Sequence, residues 1–463
     1  MTRDLSRLLD LSWLLTGRLR VMARSLTLCD QGRWTECRIA LSRAIFNESE
    51  PPARMPTHVL PGGGPTLLSR PRNGSAYFSV PRRRWYVPAD EQLPDDDIER
   101  SRLCALIWTI QTGSLSLNAT VLWTLNASSS HNCSHAAGSS VNQGRGSDTL
   151  IMFHHGHEET DCIPNQHGLA HRFTSLGYDF MEFFMPPVCN THTQARSLGR
   201  ALAKQGKWAL TSPASLLLER LTRTHNWLLP LEQAGELPMK FFIEPLALAA
   251  SYASRALGYT RLVMMGLSGG GWAVTVAAAL LPAVQLTIPV AGSIPNWPTL
   301  SYTRWAENLP SAYDHLKPMQ RKSMLRSGAR MPNAGGDFEQ MRERPIFDAV
   351  GGYVQLYILG TLERHRYQLQ VLHQHDSCCF RACGLHEFIL DYNEHTQARI
   401  GGWMRTVVTD SAAHAVNPDE ARLAAQVIDQ FHRGALGRHQ VKAALPFDIL
   451  NDSRLLACVR AST

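Results

Sequence analysis

From residue 148 to residue 434 the chain alternates short apolar runs with stretches of helical periodicity, and this alternation limits the fold more than any other feature. Parallel strands need crossover connections, and helices in those crossovers bury both sheet faces, so each strand reads as an unbroken apolar run. The pattern predicts strands over 149–153, 180–185, 261–265, 285–290, 353–359, 368–375 and 405–409, with helices over 244–257 and 272–281 among them. A final helix is punctuated at both ends. Asn417 is a candidate N-cap, Pro418 takes the first helical position, Asp419 and Glu420 fill the first turn, and Gly434 falls just past the end. Leu423, Val427 and Phe431 recur along it at four-residue spacing and predict a packed face. Ahead of this region, 105–112 and 115–126 are β-prone on either side of Gly113-Ser114, as in a hairpin.

The chain's 463 residues exceed one ordinary domain. We expect a loosely built basic extension over 1–102, an α/β domain over 103–434 with a cap inserted near 295–350, and a tail over 435–463. A hydrophobic content of 44% and a mean hydropathy of −0.18 exclude wholesale disorder and a polytopic membrane protein. The uncharged run 103–125 carries Gln, Thr, Ser and Asn too often for a spanning helix and reads as two strands, so no transmembrane helix is expected. Residues 1–90 hold 14 Arg, no Lys and 7 acidic residues, which accounts for the whole net charge of +7. Those arginines are dispersed, apart from Arg82-Arg83-Arg84, without a base-stacking aromatic platform, so a nucleic-acid partner is not expected. Ten cysteines without paired CxxC spacing argue against a disulfide-built scaffold. Sequons at Asn47, Asn73, Asn118, Asn126, Asn132 and Asn451 suit a secreted chain, yet Asp4, Asp10, Arg18 and Arg20 interrupt any signal-peptide core within 1–25. The compartment stays open.

The chemistry concentrates at Gly266-Leu267-Ser268-Gly269-Gly270, a G-x-S-x-G placed between a predicted strand and a predicted helix. A serine on such a sharp turn is held strained, and flanking glycines remove the Cβ atoms that would strike neighbouring backbone. The helix that follows offers free N–H groups and a positive dipole end to an oxyanion. An ordinary Gly-rich nucleotide-binding turn is the competing reading, but the order G-x-G-x-x-G and a P-loop lysine are both missing. On these residues the sequence resembles the α/β-hydrolase superfamily over roughly 103–434, whose members carry nucleophile, acid and histidine in that chain order. The resemblance implies Ser268 as nucleophile, Asp376 after the penultimate strand as acid, and His414 after the last strand as base. Asp348, Asp391 and Asp410 compete for the acid's place. His154-His155-Gly156-His157 is similar to the superfamily's oxyanion loop, which makes the amides of His157 and Gly269 the oxyanion donors.

Other readings stay open at this point. His155, His157, Glu158, Glu159 and Asp161 offer metal ligands at short spacing, although Thr160 stands where the binuclear pattern H-x-H-x-D-H wants its last histidine. Met185-Pro186-Pro187 and the segment to Asn190 end another strand at the same sheet edge and are placed to shape a pocket. The vicinal Cys378 and Cys379, with Cys383, read first as buried thiols, with a strained disulfide set or redox-sensitive neighbours of the acid as the alternatives. The leading expectation is a serine hydrolase acting on a small or lipid-like carboxylic ester, thioester or amide, with no cofactor and no metal. An acyltransferase with the same triad, a non-catalytic binding protein on the same fold, and a metal-dependent hydrolase are the alternatives.

Overall fold

The computed structural model describes residues 28–61, 102–113, 115–129, 148–157, 168–187, 234–293, 349–376 and 386–434, with a few single positions between them, among them His131, Cys133, His225 and Ile346. The cap expected near 295–350 lies outside them except at its last positions. So do the tail 435–463, Cys378, Cys379 and Cys383.

In chain order the elements are α1 (Trp34–Phe46), β1 (His58–Pro61), β2 (Leu103–Thr112), β3 (Leu115–Thr124), β4 (Thr149–His154), α2 (Leu169–Ser175), β5 (Asp179–Phe183) and α3 (Lys240–Arg255). There follow β6 (Arg261–Leu267), α4 (Gly269–Leu280), β7 (Val284–Val290), α5 (Tyr353–Thr361), β8 (Tyr367–His373), α6 (His386–Gln397), β9 (Trp403–Thr409) and α7 (Pro418–His432). The nine strands form one sheet in the order β1-β2-β3-β5-β4-β6-β7-β8-β9. β1, β2, β3 and β5 are antiparallel neighbours, and every pair from β5 through β9 is parallel. The expected hairpin is present, with Leu103 opposite Thr124 and Thr112 opposite Leu115.

Handedness distributes the helices. A right-handed crossover places its helix on one face when the chain moves one way along the sheet and on the other face when it moves back. From β4 to β5 the chain steps toward β3; from β5 onward every step runs toward β9. α2 therefore lies on one face and α3 to α6 on the other. Tyr178, just after α2, meets His432 of α7 edge-on with ring centroids 6.0 Å apart, which puts α7 on the α2 face. All twelve residues of α4 are buried, because the helix lies under α3 and α5 as well as against the sheet. The direction of travel reverses at β4, and open α/β sheets hold their ligands outside the carboxyl ends of the strands at such a switch point, here β4 and β6.

Two expectations are corrected. Residues 353–359, read as a strand, form helix α5. A nine-residue apolar run buried nearly all round has no period to separate strand from helix, and β8 can pair parallel to β7 only if a crossover lies between them. The extension expected to be loose is built into the molecule over 28–61. Leu41, Ile45 and Phe46 of α1 are buried. Arg38 donates to the carbonyls of Ala279 and Leu359 and to Glu363, and β1 adds an antiparallel edge to β2.

Disulfides Cys29–Cys37 and Cys104–Cys133 tie down the start of α1 and the segment after the hairpin. That segment is also held by Asp179, whose buried carboxylate accepts from the Asn126 amide N–H and Nδ2 at 2.8 Å, Ser129 Oγ at 2.8 Å and the Tyr259 hydroxyl at 2.6 Å. Burial, and then the charge of Asp179, push the Tyr259 phenol well above its ordinary pKa. The Asn126 sequon is thus closed by the fold, since its side-chain nitrogen is buried and engaged. Asn47, at the exposed end of α1, is open. Among the described residues, no helix is long and apolar enough to cross a membrane.

Candidate active site

β6 ends at Leu267 and α4 begins at Gly269, so Ser268 alone makes the turn, with φ 56° and ψ −125°. That backbone region is costly for a residue with a side chain and is kept only where the surroundings impose it. The surroundings here are specific. The Ser268 amide donates to the Val290 carbonyl of β7 at 2.9 Å, and the Ser268 carbonyl accepts the first bond of α4 from Trp272 at 3.0 Å. A Cβ on Gly266 would lie 2.5 Å from the Gly270 carbonyl oxygen, and one on Gly270 would run into the His154 carbonyl oxygen. The glycines of the motif let strand, turn and helix close on one another and on the end of β4.

That closure brings the segment after β4 against the serine. A Cβ on Gly156 would stand 2.9 Å from Ser268 Cβ, and one on Gly269 would stand 2.5 Å from Cε1 of His157. Gly269 is the first residue of α4, whose opening N–H groups have no carbonyl one turn earlier to accept them. The His157 ring is braced in turn. Its Nε2 lies 3.1 Å from His225 Nδ1, and His225 Nε2 is bonded to the Pro186 carbonyl. A carbonyl only accepts, so a neutral His225 donates from Nε2 and accepts at Nδ1, and His157 donates from Nε2. Met185, just before that proline, would also meet a side chain at Gly269.

Asp376 and His414 lie on the loops after β8 and β9, at the same edge of the sheet. The two loops are laced together by the Gln374 amide on the Thr409 carbonyl at 2.8 Å and the His375 amide on the Ser411 carbonyl at 3.0 Å. His414 Nδ1 faces both carboxylate oxygens of Asp376, at 2.9 and 3.0 Å. Asp376 and His414 are each 2% exposed and Ser268 is 5% exposed, so the pair is shielded from the water that would weaken its interaction. Of the competing acids, Asp410 is exposed and stands 3.8 Å from His375, while Asp348 and the side chain of Asp391 lie outside the described residues.

The two histidines of the short-spaced ligand pattern are drawn to different partners. His155 Nε2 lies 3.2 Å from Glu182 Oε1 and its ring stacks on Phe184, whereas His157 turns to His225. Glu158, Glu159 and Asp161 lie outside the described residues. Among the described residues, the one convergence of three His, Cys or acidic side chains is His373, Asp376 and His414, with atoms within 4.8 Å of one another. Three members of this neighbourhood escaped the sequence reading: His225, His373 and Glu420. Glu420 was visible only as a first-turn acid. His373 was visible only as a strand end, and nothing local to His225 marks it, because its partners are far away in the chain.

The strand order with its reversal at β4, and the strand–serine–helix turn beside that reversal, define an α/β-hydrolase fold. No protein-family model matches this chain, and no curated protein matches it. Solved structures similar to it include acetyl xylan esterase 1 from Thermoanaerobacterium sp. JW/SL YS485, at 14% identity over 75% of this chain and 88% of that one, with a TM-score of 0.37. An esterase of Pyrococcus furiosus, Pf2001, is 10% identical over 76% of this chain and 94% of its own, with a TM-score of 0.40.

Proposed function

We propose that the protein is a serine hydrolase that cleaves a carboxylic ester, thioester or amide through an acyl-enzyme formed on Ser268. The observation that carries this reading is the buried His414–Asp376 pair at the same sheet edge as a serine held at positive φ on a strand-to-helix turn. In this reading His414 takes the Ser268 proton as the hydroxyl oxygen attacks the carbonyl carbon, then returns it to the leaving group. Asp376 holds the imidazole with Nδ1 protonated, so that Nε2 is the basic nitrogen, and stabilises the imidazolium that forms. The carbonyl oxygen, negative in the tetrahedral intermediate, lies toward the amides of His157 and Gly269 and the positive end of α4; such donors are each worth about 3–4 kcal/mol in the transition state. Water then repeats the cycle on the acyl-enzyme and releases the acid. The substrate is a small or lipid-like acyl compound.

A fluorescent fluorophosphonate tests this reading. The parent chain is expected to be labelled with or without chelator, whereas Ser268→Ala and His414→Ala are expected to remain unlabelled. Labelling that survives Ser268→Ala, or a folded parent that never labels, would refute the assignment.

A further inference from the structure

The chain of charged groups does not stop at Asp376. His373, the last residue of β8, is completely buried. Its Nε2 lies 3.0 Å from Glu420 Oε1 and its Nδ1 lies 3.7 Å from Asp376 Oδ2. Glu420 is itself held in place, accepting from Thr409 Oγ1 at 2.6 Å and from the Asn417 amide at 3.0 Å. The Asn417–Glu420 capping box explains why a glutamate opens α7. It does not explain an imidazole between that glutamate and Asp376, where an apolar side chain would fill the space without the cost of burying a polar ring.

We propose that His373 is a positioning residue for the triad acid: a buried cation set between the Glu420 and Asp376 carboxylates, which keeps Asp376 ionised and turned to His414. The proposal rests on the Ser268–His414–Asp376 reading above. Burial alone would lower the affinity of His373 for a proton, but the Glu420 carboxylate at Nε2, the charge of Asp376 and the Ala413 carbonyl together outweigh it and raise its pKa above the ordinary value. Among the described residues, the titratable groups that face this ring are Glu420 from α7, Asp376 from the loop after β8, and His414 from the loop after β9. A cation this close to Asp376 favours its charged form, so the carboxylate that faces His414 stays ionised to lower pH. Without that cation the buried Asp376 carboxylate would take up a proton at higher pH and lose the charge that serves His414.

Two substitutions test this. His373→Gln removes the cation. Glu420→Gln removes its counter-charge while keeping a side chain that completes a capping box. Both are read by the pH dependence of fluorophosphonate labelling and of p-nitrophenyl acetate hydrolysis. The expected result is that the acid limb moves to higher pH, by about one unit for His373→Gln and less for Glu420→Gln, with KM unchanged. At a fixed pH below the midpoint the rate then falls about tenfold. Variants that lose thermal stability but keep the parent profile would overturn the proposal and leave His373 a packing residue. Should His373→Gln fail to fold, Glu420→Gln decides the matter. A parent that labels while both variants keep its profile sinks only the role of His373, whereas a parent that does not label sinks the triad reading and this inference with it.

Discussion

Replacing Asp376 by Asn is the most informative single change, because it keeps shape and burial while reversing the polarity of one contact. Both carboxylate oxygens lie within 3.0 Å of His414 Nδ1. An asparagine offers one carbonyl oxygen and one NH2 group, and the Nδ1–H can be accepted only by the oxygen. If the amide turns its nitrogen to the ring, Nδ1 must become the acceptor. The proton then sits on Nε2, and the nitrogen needed as base is blocked. On the proposed mechanism, the substitution also strips the negative charge that stabilises the His414 imidazolium, in a site where every member is buried. The same exchange in a Ser-His-Asp triad costs about 10⁴ in kcat, or about 5.5 kcal/mol of transition-state stabilisation. The assay is the rate of fluorophosphonate labelling and of p-nitrophenyl acetate hydrolysis at neutral pH, with circular dichroism and thermal melting to establish that Asp376→Asn is folded. A folded variant within tenfold of the parent would refute the argument, since the aspartate would then neither set the tautomer nor carry charge that the reaction uses.

Other expected outcomes follow from the packing. Arg366, 2% exposed, donates to the carbonyls of Ala278, Leu281, Val284 and Leu359 and to Glu363, which spends burial's cost on joining α4, β7 and α5; burial, only partly offset by Glu363, pushes its pKa down to about 10. Arg366→Met strands those acceptors and should cost about 3–5 kcal/mol, read as a lower urea midpoint at unchanged slope. Gly270→Ala drives a methyl into the His154 carbonyl, which is backbone and cannot turn aside, and should abolish soluble expression or labelling; near-normal labelling would contradict the elbow packing. Opening Cys104–Cys133, which closes a span of 29 residues, should cost about 3.5 kcal/mol by loop entropy, and opening Cys29–Cys37, which closes 8, about 2.5 kcal/mol. Cys→Ser pairs compared by denaturant unfolding check both the size and the order. Because the pKa of His373 is raised in the fold, the stability it contributes is present below its ordinary value of 6.5 and is lost as pH rises through the folded value. The stability deficit of His373→Gln should accordingly be largest in mild acid.

The linear chain already determined much of this protein. Six parallel-sheet strands, the hairpin, the Asn417 cap and the strand-to-helix turn at Ser268 were legible because each is a local pattern: a run of apolar residues, a turn pair, a capping side chain, a glycine two places from a serine. Order along the chain also put forward Asp376 and His414 as candidates among many acids and 19 histidines, and the fold brings these two side chains together. What local pattern could not express was decided only by tertiary structure. Residues 353–361 became a helix because two parallel strands needed a crossover between them. Residues 28–61 joined the molecule because Arg38 found carbonyls more than 200 positions away and β1 found an open sheet edge. The His157–His225 and Asp376–His373–Glu420 contacts joined residues on separate loops and elements, and their chemistry arises from distance and burial. A one-dimensional sequence states which groups exist; the free energy of a charge depends on what surrounds it in three dimensions.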